Sequence, residues 1–288
     1  ATTDIYTVSL HDALPIYWQN NGITITRHEY VNDQFPSQFD GLKVVQISDL
    51  HNKSFGKNQS RLIEKIETES PDAIFVTGDL IDSRHPQVEI AIQFIKKAVQ
   101  IAPVYYVTGN HEQRVLSEYG TLKAQMTALG VFVLENETVN LDKNGETLMI
   151  IGVNDPEFQK SPYEQDGENS AISTYLETIN LEAANINTAN IGQKSFKILL
   201  SHRPELFNLY TEHKIDVVFS GHAHGGQFRM PFVGGFISPN QGFFPKLTSG
   251  EHKDKETTLY ISRGLGNSIF PQRLFNRPEI VVVTFKSN

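Results

Sequence analysis

At 288 residues, 39% of them hydrophobic and 20% charged, the chain can bury a sizeable core and is neither disordered nor fibrous. Lys plus Arg total 25 against 33 Asp plus Glu, and the resulting net charge of −8 argues against a duplex-nucleic-acid binder that relies on bulk charge. The absence of cysteine removes disulfide scaffolds, Cys-ligated zinc, iron–sulfur clusters and thiol nucleophiles, and leaves the compartment open.

No uninterrupted apolar run approaches the ~18 residues of a membrane span, and no Lys or Arg precedes Arg27 to form a basic leader. The chain as written therefore reads as soluble. Because it opens on Ala1, it is expected to be processed or a fragment, so a lost anchor or signal stays open. Residues 1–16 (ATTDIYTVSLHDALPI) have no clear period and resemble translated adapter read-through, so residues 1–22 are set apart as a partly non-native tail. Residues 23–288 read as one domain.

From residue 23 the chain reads first as strand, with Ile23, Ile25, Tyr30 and Val31 in a hairpin-like stretch. KVVQIS (43–48) is a buried strand, and a helix over 58–69 carries Leu62, Ile63 and Ile66 before Pro71 stops it. AIFVT (73–77) is the next strand, followed by a helix over about 87–100. Val104–Val107 is a strand, 113–129 a helix, and 131–134 and 147–153 are strands. Residues 154–170 read as a surface loop and 168–184 as helix. Phe196–Leu200 is a strand, a helix starts after Ser201 with Pro204 in its first turn, and strands follow at 217–220, 259–262 and 280–285. Strand–helix–strand units of this length imply right-handed crossovers and parallel pairing. Fewer helices in the second half imply a mixed second sheet.

Five of these strands end on polar motifs: Asp49 and His51 in SDLH, Asp79 and Asp82 in GDLID, Asn110, His111 and Glu112 in GNHE, His202 in SH, and His222 and His224 in GHAHGG. Ligands bind at the carboxyl edge of open α/β sheets. Imidazole with carboxylate suits zinc, iron and manganese alike. In an extended segment, residues i and i+2 point the same way, so Asp49 with His51, and His222 with His224, are expected to face one metal or two neighbouring ones. Gly78, Gly109 and Gly221 are expected to let the backbone turn sharply after each strand. Singly, each residue has an ordinary reading: a strand-end Asp caps a helix, a strand-end His is solvated, Gly-Asp is a turn. The conjunction defeats it, because five of the ten histidines fall in these motifs. For His11, His28, His85, His213 and His252 the ordinary reading holds.

DLH, GDLID, GNHE, SH and GHAHGG in this order resemble the calcineurin-like metallophosphoesterase superfamily over about residues 40–286. GHAHGGQFRMPFVGGF, YISRGLGNS and NRPEI are more narrowly similar to bacterial YkuE/YaeI-type phosphoesterases, relatives of enzymes that cleave UDP-2,3-diacylglucosamine. The resemblance implies a four-layer α/β/β/α sandwich with mixed sheets and two divalent metal ions, whether manganese, iron or zinc. It implies that Asp49, His51, Asp79 and His224 hold the first metal, and that Asp79 bridges to a second on Asn110, His202 and His222. Two metals ~3.5–4 Å apart can acidify a water and hold phosphate oxygens for in-line attack. His111 resembles the catalytic histidine, which stabilises charge or protonates the leaving oxygen. Asp82 and Glu112 are expected to orient ligands.

Protein phosphatases of the superfamily carry Arg where Ser83 and Thr108 stand here, and Arg84 is displaced by one, which counts against phosphoproteins. Its DNA-repair nucleases have His where Asp82 stands. Residues 228–247 hold five phenylalanines among Gly and Pro, either a loop packed on the core or a greasy wall for an acyl chain or membrane. Arg203, Arg229 and Arg263 are candidate phosphate contacts with ordinary surface roles as the default. The expected activity is hydrolysis of phosphodiester or pyrophosphate bonds in a small phosphorylated or lipid-linked substrate, with peripheral membrane contact. Alternatives are a nuclease or nucleotide phosphodiesterase on the same metals, and a non-catalytic metal-binding scaffold. Substrate binding residues and oligomeric state stay open.

Overall fold

Two six-stranded sheets, stacked face to face and flanked by helices, make up the computed structural model, which describes residues 17–159, 170–189, 195–230, 234–267 and 271–288. In chain order the elements begin with helix α1 (17–21), β1 (Thr24–Val31), β2 (Lys43–Ile47), α2 (Ser60–Glu69), β3 (Ala73–Thr77), α3 (Val88–Ala98) and β4 (Val104–Val107). Then come α4 (Asn110–Gln113), α5 (Leu116–Ala128), β5 (Phe132–Val133), β6 (Glu137–Lys143), β7 (Glu146–Gly152), α6 (Ser170–Ala189), β8 (Phe196–Leu200), α7 (Phe207–Glu212) and β9 (Val217–Ser220). Two short ribbons follow, β10 (Arg229–Met230) with β11 (Gly234–Gly235) and β12 (Ile237–Ser238) with β13 (Gly242–Phe243). The chain closes on β14 (Gly250–Asp254), β15 (Thr257–Ile261) and β16 (Glu279–Lys286).

The first sheet runs β1-β16-β2-β3-β4-β5, the second β14-β15-β9-β8-β7-β6. Parallel pairs form the middle of each sheet (β2 with β3 with β4; β15 with β9 with β8 with β7), and antiparallel pairs make both sheets mixed. Strands β2, β3, β4, β8 and β9 are near-continuous apolar runs because both faces are covered. Their alternation sorts the core into layers. On β2 and β3, Val45 and Ile74 face α2, α3 and α5, whereas Val44 and Phe75 face the second sheet. On β8 and β9, Ile198 and Phe219 face the first sheet, whereas Leu199 and Val218 pack beneath α6 and α7. This is the α/β/β/α sandwich. Aromatic rings fill the middle, with Phe75 and Phe219 edge to face at 5.2 Å.

Helix α2 buries Leu62, Ile63 and Ile66 on one face and ends at Ser70, in the left-handed region at φ 48°, just before Pro71. Two sequence expectations change. Strand β1 forms no hairpin. It pairs in parallel with β16, from Thr24 beside Glu279 to Val31 beside Lys286. Its partner strand lies 255 residues further along the chain (Thr24 beside Glu279) and was invisible in a local window. The expected helix over 113–129 is two helices, because Arg114 and Val115 break the run before α5. Residues 1–16 of the tail, most of the 154–170 loop and Phe232 lie outside the described residues.

Candidate metal centre

The expected site residues converge at the carboxyl ends of β2, β3, β4, β8 and β9, where the two sheets meet. Buried Gln46 fixes this junction, its Nε2 donating to Thr77 Oγ1 at the end of β3 and to the Ser220 carbonyl at the end of β9, both at 2.9 Å. Beyond the strands the backbone does not stay extended, and here the i, i+2 argument is corrected. Asp49, His51, Asp79, His222 and His224 all have left-handed φ, at 53°, 45°, 53°, 63° and 47°. Such conformations cost of order 1–3 kcal/mol each and persist only where surrounding structure holds them. The braces are visible: Asp49 N donates to the Gly78 carbonyl, His51 N to that of Asp79, and His222 N to the Asp49 carboxylate.

The glycine expectation divides in two. Gly78 does turn the chain, at φ +88°. Gly109 is extended, and Gly221 is absent from the left-handed set; both are required for close approach. A Cβ on Gly109 would stand 2.2 Å from Asp79 Oδ1, and one on Gly221 would stand 1.9 Å from Ser48 Oγ.

Among the described residues three buried groups result, one of them His51 with Asp82 and His111; the other two are made up of expected ligands. In the first of these two clusters, His51 Nε2 and His224 Nε2 face each other at 3.1 Å, with Asp49 Oδ1 3.3 Å from the latter. In the second, His202 Nε2 lies 3.2 Å from His222 Nδ1 and 3.2 Å from Asp79 Oδ2. The same Asp79 Oδ2 is 3.5 Å from His51 Nε2, so this one oxygen lies near a ring nitrogen of each cluster. His202 Nδ1 donates to the Thr77 carbonyl at 2.7 Å, which turns its Nε2 inward. The Asn110 amide lies against His202 Nε2 and His222 Nδ1; turned about, it would donate to them at 3.3 and 3.0 Å and accept from Arg114, and with its oxygen inward it is a candidate ligand.

A cation at the centre of each cluster would draw these carboxylate and amide oxygens and neutral imidazole nitrogens onto one positive charge. Electrostatics point the same way. Burial lowers the pKa of His51 to about 3 and those of His222 and His224 well below the usual imidazole range, so these rings are neutral, as ligands must be. Burial also disfavours charge on His202, but the adjacent Asp79 carboxylate outweighs it and raises His202 to about 10. The second cluster thus favours positive charge beside Asp79, which a metal would supply. Asp79 itself, despite burial, is held well below the usual carboxylate range by His202 and His111. Burial pushes Asp49 up to about 6. The residues therefore fit a pair of divalent metals.

Around the clusters, Glu112 accepts from the backbone N–H of Asp79 (3.0 Å), Gly109 (2.8 Å) and Ile81 (3.3 Å), tying the second and third motifs together. Asp82 pairs with Arg84 and stands 3.8 Å from His111 Nδ1. His111 N donates to Asp79 Oδ1 at 2.9 Å, and His111 Nδ1 accepts from Ser83 N at 3.0 Å. A backbone N–H can only donate, so in the neutral ring the proton sits on Nε2. A cavity of about 190 Å³ opens here, lined by His111, Arg84, Arg114, Arg203 and Asn240 among others.

Of the three candidate arginines, Arg203 is buried rather than superficial, gripping Asp155 and facing His222 Nε2 at 3.1 Å. Arg229 turns instead to the Gly225 carbonyl and Ser249, and Arg263 to Glu279. Arg84, Arg114 and Asn240 were not singled out from sequence as site residues. For the arginines the only signal was their position within three residues of the GDLID and GNHE motifs. Asn240 arrives from the β12–β13 ribbon and had none.

Residues 42–226 match the family model of the calcineurin-like phosphoesterases, well over half of the chain. The chain belongs to this family. It is 31% identical over 279 residues to the uncharacterized metallophosphoesterase YkuE of Bacillus subtilis (strain 168), covering 94% of this chain and 88% of that one. A transmembrane protein with metallophosphoesterase domain from Bos taurus is 28% identical over 89% of this chain, which spans 55% of its length. Among solved structures, a dimetal phosphatase from Danio rerio matches with a TM-score of 0.48 at 11% identity, covering 78% of this chain and 88% of that one. As a calcineurin-like phosphoesterase the protein is a metal-dependent hydrolase of phosphorylated substrates. No helix among the described residues is long and apolar enough to cross a membrane.

Proposed function

We propose that this phosphoesterase hydrolyses phosphodiester or pyrophosphate bonds with two divalent metals, in small substrates whose phosphate is linked to a nucleotide, sugar or lipid. The observation that carries the reading is the shared Asp79 Oδ2, within 3.5 Å of a ring nitrogen in each cluster. Asp49, His51 and His224 would hold the first ion, Asn110, His202 and His222 the second, with Asp79 common to both. When bound, the pair supplies Lewis acidity and a more acidic water. The chain's own groups do the rest. His111 presents its Nε2 proton to the leaving oxygen, a role set by the Ser83 N–H on Nδ1. Arg84 and Arg114 offer guanidinium donors to anionic oxygens at the mouth of the cavity.

The cavity, at about 190 Å³, is smaller than the roughly 300–1,000 Å³ of sites that enclose a drug-sized ligand. It suits a phosphoryl group whose substituents stay outside. Directly outside stands the β12–β13 ribbon, whose Pro239 and Asn240 line the cavity and which carries Phe243 and Phe244, 68% and 56% exposed against Phe236. These rings favour an acylated or membrane-borne substrate. Burying one phenylalanine contributes about 1.5–3 kcal/mol, so two would alter affinity by a few powers of ten.

The test is a substrate panel of bis-(p-nitrophenyl) phosphate, UDP-2,3-diacylglucosamine, a cyclic nucleotide and single-stranded DNA, with wild type and the Phe243→Ser/Phe244→Ser double variant. The reading expects hydrolysis of the acylated substrate to fall in the variant while the soluble diester is spared. Equal loss on both, with a lowered melting temperature, sinks the lipid reading. Preference for single-stranded DNA would favour a nuclease.

A further inference from the structure

Two sequence motifs, RGLGNS and NRPEI, supply no ligand to either cluster, yet their residues lie directly against the first. Leu265 N donates to the Ser48 carbonyl (3.0 Å) and Gly266 N to that of Asp49 (2.6 Å). This approach needs glycine: a Cβ on Gly264 would stand 2.7 Å from Asp49 Cβ, and one on Gly266 2.3 Å from the Leu50 carbonyl oxygen. On the other side, Asn276 Nδ2 donates to the carbonyls of His224 (2.6 Å) and Gln227 (2.9 Å). Asn276 is fully enclosed, and among the described residues its Oδ1 meets no donor, so the amide is seated there by its N–H groups.

The turn it holds has an unusual need of support. His224, Gly225, Gly226 and Gln227 are all left-handed, at φ 47°, 63°, 78° and 60°. Left-handed backbone costs about 1–2 kcal/mol for each non-glycine residue. Arg273 joins the two contacts. It is buried, with Nε on the Gly266 carbonyl (3.1 Å) and Nη1 on those of Arg263 (3.0 Å) and Asn276 (3.2 Å).

We propose that Asn276 and Arg273 are positioning residues for the first metal site. Asn276 holds the turn that presents His224, the Leu265–Gly266 backbone holds the turn that presents Asp49 and His51, and Arg273 ties the two into one brace. The claim rests on the reading of Asp49, His51 and His224 as ligands of one ion. It is selective: none of these bonds reaches Asn110, His202 or His222.

Manganese titrated into metal-free protein and followed by calorimetry tests the brace without recourse to activity. Asn276→Asp keeps the shape and sets an acceptor against two carbonyls. Arg273→Lys keeps the charge but loses the planar fork that spans three carbonyls. Each is expected to weaken one of the two binding steps by about 10–100-fold, the usual effect of losing a group that orients ligands, and to leave the other step unchanged. Wild-type affinities at both steps overturn the proposal. So does equal weakening of both, which general loss of stability would produce. Arg273→Lys carries the test alone where Asn276→Asp fails to fold. His224→Ala checks the underlying reading separately: it must abolish one step, and two intact steps there refute the ligand assignment rather than the brace.

Discussion

Asp79 and His111 are locked to each other by one backbone bond, from His111 N to Asp79 Oδ1, so the proposed metal bridge and the proposed proton donor share a frame. His111 is not in the proposed ligand set, and Ser83 fixes its tautomer. His111→Ala is therefore expected to retain both metals and lose about 10²–10⁴-fold in turnover, the usual worth of a positioned acid. Substrates with good leaving groups need less protonation and should lose less. An unchanged rate on a poor leaving group would show that His111 only supports the fold. Which side chains could do chemistry was legible because Asp, Asn and His interrupt apolar runs at five strand ends. Arg84, Arg114 and Asn240 were not, because nothing in a local window separates a guanidinium lining a cavity from one in solvent.

At the level of elements, the proposed ligands owe their aim to turns rather than strands. Glycines, several of them from other segments, allow the close approach around these left-handed residues: Gly109 against Asp79, Gly221 and Gly264 against Asp49, and Gly266 against His51. Gly221→Ala should show this: its Cβ would press on Ser48 Oγ and stand 2.4 Å from Asp49 Oδ2. The expected result is a lower melting temperature with loss of metal by mass spectrometry, and an alanine variant with full metal content would argue against close approach. The turn geometry was hidden from sequence because SDLH and GHAHGG fit an extended reading equally well. Buried strands declared themselves by apolar runs. Edge strands β6 (ETVNLDK) and β14 (GEHKD) were missed because their solvated residues carry no such pattern.

For the molecule as a whole, two stacked sheets bring their parallel carboxyl ends to one place, so buried carboxylates and imidazoles from motifs 175 residues apart (Asp49 to His224) meet within 3.3 Å in a cluster whose charge a metal pair would balance. A ligand that binds only the folded state at 100 times its dissociation constant adds about 2.7 kcal/mol. Removing the metals with a chelator should thus lower the melting temperature by about 5–10 °C, reversibly on adding manganese or zinc. An unmoved transition would mean that the clusters do not hold ions tightly. The central claim is that Asp79 joins two ions into one reactive centre. Metal content by mass spectrometry, measured beside hydrolysis of bis-(p-nitrophenyl) phosphate in wild type, His51→Ala and Asp79→Asn, tests it most directly. Wild type should hold two ions, His51→Ala should lose metal from one site, and Asp79→Asn should lose metal from both with the more complete loss of activity. An active Asp79→Asn protein that retains two ions would contradict the account.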